Sequence, residues 1–457
     1  MLIRKMKKLS KSGAVCVDPI SYNVPDGGWG WAVTFSSFMV NVFIDGVIYT
    51  FGIFFPELLR YFGESKGKTQ LLHSILVGTL FFVGPVASAL VTKYGCRRVT
   101  ESGSVIVSVG LFLSSFSQNL DVMILCYSII GGIGFGLFYL PSIVIIGEYF
   151  DKRRSLATGL AVCGVGTFVF APITEYFLET YMWRGTLWIM SAIILNGIIV
   201  STTYRPLQTD VNRNTTKRSE VDSKPNQDDT TRNSSTCCQQ ICSSINATLD
   251  LSLLKSPTML LYGASCFFVM FGYFVPSNFL PAWASEVNLS TAQGTFLISL
   301  MGVSNTITRV LVGYITDRPW ANCLIIYSTA LLIGGMSTCF VPFFITYEIL
   351  VIYAIIFGAV KAVFFCLRSI LMAELLGIHR LNSSFGLAGL CMGLSTYVGS
   401  PIAGALSDMS GNYNMAFYFG GISLGIGGLL CLPLRRISVW EKGRIDDLNK
   451  ENTGQWR

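Results

Sequence analysis

Five ionisable side chains stand inside long apolar runs, where a charge is costly and points to a functional role. They are Asp45, Glu175, Arg309, Lys361 and Arg368. Lys361 sits at the middle of its run, too deep for its ammonium to snorkel to water. Arg368 follows seven residues later. On a helix the two project from nearly the same face, about 10 Å apart along the axis, with Phe364 and Phe365 between them and Phe364 near that face. Three cations against two acids make a net-positive apolar cavity, in which a guanidinium or ammonium can replace the water that a small organic carboxylate gives up. Arg309, Lys361 and Phe364 are therefore candidate substrate-binding residues. Asp45 is a candidate proton site, or else it pairs with Lys361 or Arg309 to neutralise charge and fix helix register. Glu175, towards the outer end of its run, reads as a near-surface residue. His73 and Glu101 sit close enough to the ends of theirs to reach an interface.

Other chemistries are poorly supplied. The only histidines, His73 and His379, are far apart and lack metal-ligand spacing. Most of the 13 cysteines lie singly in apolar stretches, and Cys237, Cys238 and Cys242 have no matching second pair for zinc. Gly131, Gly132, Gly134 and Gly136 follow no strand, so they read as helix packing rather than a nucleotide loop. No nucleophile–base pair is legible. Neither an enzyme, a metal nor a cofactor is expected.

The elements that must position these charges are transmembrane helices. Of 457 residues, 51% are hydrophobic and 13% charged, about half the charge of a soluble domain. That composition excludes a disordered chain, a coiled coil and a nucleic-acid binder, and predicts an all-α polytopic protein whose partner is the lipid bilayer. Twelve apolar runs are long enough to cross: 30–55, 71–92, 99–117, 122–147, 156–178 and 186–204, then 257–281, 294–315, 323–345, 349–373, 385–406 and 415–434. Numbering the connections alternately, 26 of the 33 Lys and Arg fall on the side of both tails and the central linker, and 4 on the other. The positive-inside rule places that richer side in the cytoplasm. The chain then divides into a cytoplasmic tail (1–29), a six-helix bundle (30–204), a polar flexible linker (205–256), a second bundle (257–434) and a cytoplasmic tail (435–457). The halves echo each other: Gly159-Leu160-Ala161 precedes Ala171-Pro172 as Gly386-Leu387-Ala388 precedes Ser400-Pro401, at an offset of 227. Two such halves predict the major facilitator fold.

Two motifs sharpen this. Pro25-Asp26-Gly27-Gly28-Trp29-Gly30-Trp31 enters the first run, and resembles the signature carried there by the monocarboxylate transporters within the major facilitator superfamily. The stretch from Tyr149 to Ala161, with Lys152, Arg153 and Arg154 inside it, resembles the family's second signature at the entry to the fifth run. In the first motif Asp26 can cap the helix start, Gly27 and Gly28 let backbones approach, and Trp29 and Trp31 suit the interface. The motif reads as a conformational element. The basic cluster of the second serves topology, a cytoplasmic gate or attraction to anionic lipid.

The resemblance implies transport of a carboxylate together with a proton by alternating access, at the plasma membrane. The family's lactate and pyruvate carriers use an acidic residue four positions before an arginine in span eight, with a lysine in span one. Here Arg309 matches the arginine, Asn305 holds the acidic position and Tyr49 the lysine position, so the resemblance adds Asn305 and Tyr49 to the candidate substrate-binding residues. Asn305 does not titrate and Tyr49 is neutral at physiological pH, so that proton apparatus is incomplete while carboxylate recognition by Arg309 is kept. Asp45 is then a substitute proton site and Lys361 a substitute cation. The chain looks more like divergent members, whose relatives handle aromatic amino acids, iodothyronines, creatine or carnitine. The expected function is a secondary carrier of small organic anions or zwitterions, proton-coupled or facilitative; the alternative is a transport-inactive sensor or scaffold of the same fold. A single-span immunoglobulin-type ancillary glycoprotein is a partner implied by the resemblance.

Overall fold

A computed structural model of the chain describes residues 26–150, 154–163, 165–205, 253, 255–316, 318, 321–376 and 381–453, which are mostly helical with no strand among them. Lys152, Arg153, most of the N-terminal tail and nearly all of the linker, including Cys237, Cys238 and Cys242, lie outside the described residues.

Ten helical stretches among the described residues are long and apolar enough to cross a bilayer. One of them, Ala157–Ser201, has 45 residues, about twice what one crossing needs. Its main helix begins at Val165 and is broken at Met182, where φ is 57° and ψ 179°, into two legs, 165–181 and 183–201. A further helix, Cys96–Ser114, carries Arg97, Arg98 and Glu101 in its first turns, with an Arg97–Glu101 ion pair of 2.8 Å, and is apolar beyond them. Counting both gives twelve membrane-length elements among the described residues. In chain order these are α1 (Trp29–Phe62), α2 (Lys66–Tyr94), α3 (Cys96–Ser114), α4 (Leu120–Tyr149), α5 (165–181) and α6 (183–201). Then come α7 (Pro257–Glu286), α8 (Thr291–Thr316), α9 (Cys323–Phe343), α10 (Tyr347–Leu376), α11 (Leu381–Ser410) and α12 (Asn414–Cys431). A polar helix, α13 (Leu434–Thr453), follows Pro433.

The first helix of each half is interrupted at the same place. In α1 the break falls at Thr50, whose hydroxyl bonds back to the Gly46 carbonyl at 2.6 Å, a local competitor of the helical ladder. In α7 it falls at Phe274, two residues before Pro276, which has no N–H to donate.

Across the two halves, α2 lies along α11, α5 along α8 and α1 against α7. The first two contacts exchange when each helix number is shifted by six, as a repeat about a central axis requires. The halves meet tightly on the face that the charge asymmetry assigns to the exterior, termed here the outer face. A Cβ on Gly52 of α1 would lie 2.1 Å from the Ser277 carbonyl of α7, so only glycine permits this approach. At the same face the Asp408 carboxylate of α11 accepts the Lys66 and Gly67 N–H groups, each at 3.0 Å, and so caps α2 from 341 or more residues away. Beside it Lys66 stands 3.9 Å over the ring of Tyr413. Burial pushes the Tyr413 phenol up from its ordinary value, so it stays neutral there.

Candidate functional site

Helices α1, α7, α8 and α10 bring the sequence's scattered charges together near mid-membrane. Lys361, only 3% exposed, donates from Nζ to Ser277 Oγ at 2.8 Å. Its ammonium stands 3.9 Å over the ring of Tyr49 and 5.3 Å from that of Tyr273. The two phenol oxygens are 3.3 Å apart, so Tyr49 of one half and Tyr273 of the other clasp a cation between them. Phe364 is fully buried and packs on Tyr273 and Tyr327, at ring distances of 5.7 and 5.9 Å. It backs the cradle rather than facing Lys361.

Arg309, 9% exposed, donates from Nε to Asn305 Oδ1 at 2.8 Å, one turn earlier on α8. The asparagine in the family's acidic position therefore orients the arginine without neutralising it. Asp45 on α1 lies within electrostatic reach of both Arg309 and Lys361. No direct ion pair joins it to either: the pairs among the described residues are Arg60–Glu57, Lys68 with Glu64 and Asp121, and Arg97–Glu101. Two cations and one acid thus share a low-dielectric space, and the cations keep N–H donors free for an anion.

The expectation for His73 fails. His73 does not reach the interface; it is wholly buried on the α2–α7 seam, its ring 5.1 Å from that of Phe51 and 4.7 Å from that of Phe274. Asn278 donates to Gln70 Oε1 at 3.0 Å and lies 3.1 Å from His73 Nδ1. Tyr273, Ser277 and Asp408 were also invisible as site or gate residues in the sequence. Tyr273 had one available signal, its place in the repeat opposite Tyr49; Asp408 had none, since its partners are remote in the chain.

The two signature motifs dock on one another. The Asp26 N–H donates to the Tyr149 carbonyl at 3.2 Å, and Trp31 meets Phe150 edge to face at 5.1 Å. Trp29 Nε1 donates to the Thr203 carbonyl at 2.9 Å, and Arg205 covers its ring at 4.2 Å. Asp26 is not the helix cap that the sequence suggested. That position belongs to Gly28, at φ 57° and ψ −121° with no side-chain cap bond, a conformation costly for any residue with a Cβ. Arg154 begins a helix, Arg154–Ala161. The first motif therefore joins α1 to the ends of α4 and α6, well away from Lys361.

Comparison with known proteins agrees with this architecture. The model of the Major Facilitator Superfamily matches residues 34–345. Monocarboxylate transporter 4 of Gallus gallus is 29% identical over 96% of this chain and 92% of its own length. Monocarboxylate transporter 13 of Rattus norvegicus is 30% identical over 90% of each. Monocarboxylate transporter 1 of Mus musculus is 30% identical over 90% of this chain and 85% of its own. With two signatures in place, a repeated twelve-helix plan and this similarity along most of its length, the chain belongs to the monocarboxylate transporter family of the major facilitator superfamily, membrane transporters rather than enzymes.

Proposed function

We propose that this protein carries small monocarboxylates, or related organic anions and zwitterions, across the plasma membrane by alternating access. The halves 30–204 and 257–434 rock about the mid-membrane site, tethered by the linker 205–256, with both termini in the cytoplasm. Arg309 and Lys361 bind the carboxylate, Asn305 orients Arg309, and Tyr49 with Tyr273 holds Lys361 in place. Phe364 fixes Tyr273 from behind. The observation that carries this reading is the position of the Lys361 ammonium, 3.9 Å over the ring of Tyr49, the residue at the family's lysine position. The missing cation is supplied from the opposite half.

Asp45 takes up the proton. With Asp45 ionised the empty site holds one net positive charge. A carboxylate arriving with a proton for Asp45 leaves that total unchanged, so the loaded and empty carriers meet the same electrostatic cost of reorientation. Lys152, Arg153 and Arg154 act with the docked first motif (Asp26, Gly27, Gly28, Trp29, Trp31) on the cytoplasmic gate. A single-span immunoglobulin-type glycoprotein accompanies the carrier to the surface. The test is uptake of a radiolabelled monocarboxylate panel in oocytes, with and without an inward proton gradient. Arg309→Ala is expected to abolish the uptake that the parent shows. Full uptake by that variant would remove Arg309 from its assigned role, and indifference to the gradient would remove the proton.

A further inference from the structure

Arg368 takes no part in the cradle around Lys361, yet it lies on the same face of α10, seven residues nearer the inner face, about 10 Å along the helix. Its partners are soft. Nη1 donates to the Met392 thioether at 3.2 Å, and the rings of Phe365 and Phe385 flank the guanidinium carbon at 5.5 and 5.2 Å. Nε is buried without a hydrogen-bond partner. No carboxylate among the described residues pairs with this guanidinium. An arginine has five N–H donors and a thioether is a weak acceptor, so a full charge stands inside the bundle with most of its bonding capacity unused. Tyr139, on α4 of the other half, is within electrostatic reach of Arg368, Asp45 and Arg309 alike. Arg368 is therefore held by α7, α10 and α11 of its own half and lies within electrostatic reach of the other half, on the inner side of Lys361.

A fork of N–H donors without an acid, walled by two phenyl rings, suits one ligand class: a monocarboxylate with an apolar body, whose oxygens accept the fork and whose carbon skeleton lies against the rings. We propose that Arg368 is a second anion site, which receives the carboxylate after it leaves Arg309 and Lys361. The order of the two sites rests on the carrier reading above; the binding itself does not.

The test uses benzoate as probe on the purified full chain in lipid nanodiscs. In equilibrium binding of radiolabelled benzoate, Arg309→Ala retains a saturable component. Adding Arg368→Gln weakens it at least about tenfold, and Arg368→Lys, which keeps the charge but not the fork, gives an intermediate loss. A measurement on the unmutated protein guards against variants that fail to fold: benzoate slows phenylglyoxal modification of Arg368, located by mass spectrometry. The site is overturned if Arg309→Ala abolishes all binding, if the double variant binds as well as Arg309→Ala, or if benzoate leaves Arg368 reactivity unchanged. If Arg368-dependent binding persists in a protein that transports no carboxylate, the carrier reading falls and the anion site stands.

Discussion

Moving the buried cation from α10 to α1 probes the site at the point where this chain departs from its relatives. Because Lys361 Nζ lies 3.9 Å over the Tyr49 ring, lysines at positions 361 and 49 address the same space from opposite halves. Lys361→Met removes the ammonium and keeps most of the bulk. A charge-assisted hydrogen bond contributes about 1.5–3 kcal/mol, so the half-saturation of uptake should rise roughly 10- to 150-fold. Tyr49→Lys alone sets two like charges side by side. At an effective dielectric of 20 and a separation of about 4 Å they repel by about 4 kcal/mol, enough to lower surface expression or uptake sharply. The double variant Tyr49→Lys, Lys361→Met removes that repulsion and returns one cation to the site. Its half-saturation should lie closer to the parent than that of either single variant, the signature of two positions that share one interaction. The assay is concentration-dependent uptake of the best radiolabelled carboxylate in oocytes, normalised to surface biotinylation. Parent-like half-saturation in Lys361→Met, or a double variant no better than the singles at equal surface amount, refutes the reasoning.

Asp45→Asn should leave uptake insensitive to an imposed proton gradient, whereas external acidification should stimulate uptake by the parent; initial rates at stepped external pH decide it. Gly52→Ala puts a methyl where the Ser277 carbonyl already stands, 2.1 Å from the ideal Cβ, so transport should stop while the protein still reaches the surface, as biotinylation would register. Asp408→Asn weakens a carboxylate cap on the Lys66 and Gly67 N–H groups, worth about 1 kcal/mol. The outer face should then open more often, read as faster labelling by an impermeant maleimide in a Gln70→Cys background. Gly28→Ala forces a Cβ into the φ 57° conformation at a cost of about 1–3 kcal/mol, lowering the thermal midpoint in detergent without changing half-saturation.

The helices were legible because apolar length is a one-dimensional property, and the twelve runs read from composition each correspond to a structural element. Their ends were less so. The run at 99–117 begins at Cys96 in the structure because Arg97 and Glu101 satisfy one another along the helix, a local pairing that hydropathy counts only as two charges. The charged residues of the site could be picked out singly, since intramembrane charge is rare, but their partners could not. Ser277 and Tyr273 are ordinary residues for a membrane helix, and become site residues only because α7 faces α1 and α10. His73 failed for the same reason: nearness to the end of a run predicted an interface, whereas the seam with α7 buries it against Asn278 and Phe274.

The repeat explains why the cation had to come from a third helix. Tyr49 and Tyr273 are 224 residues apart, close to the offset between the halves, and each directly precedes the break in the first helix of its half. They are the two copies of one position, brought face to face across the central axis. A lysine at either copy would project into the space the other occupies, and lysines at both would repel; here both copies are phenols, and Lys361 enters between them from α10. Two of its three contacts, Ser277 and Tyr273, belong to its own half, and Tyr49 belongs to the other. Parting the halves at the outer face therefore withdraws one aromatic wall from the ammonium and leaves the rest of the cradle intact. A desolvated cation that loses a cation–π partner worth about 2 kcal/mol gains by taking an anion in its place. On the proposed carrier reading, opening of the gate and affinity for the carboxylate are in this way set by the same contact. Tyr49→Phe, which keeps the ring under the ammonium, should preserve the coupling, whereas Tyr49→Ala should raise affinity from outside and slow reclosure, measured as a lower half-saturation together with a lower maximal rate.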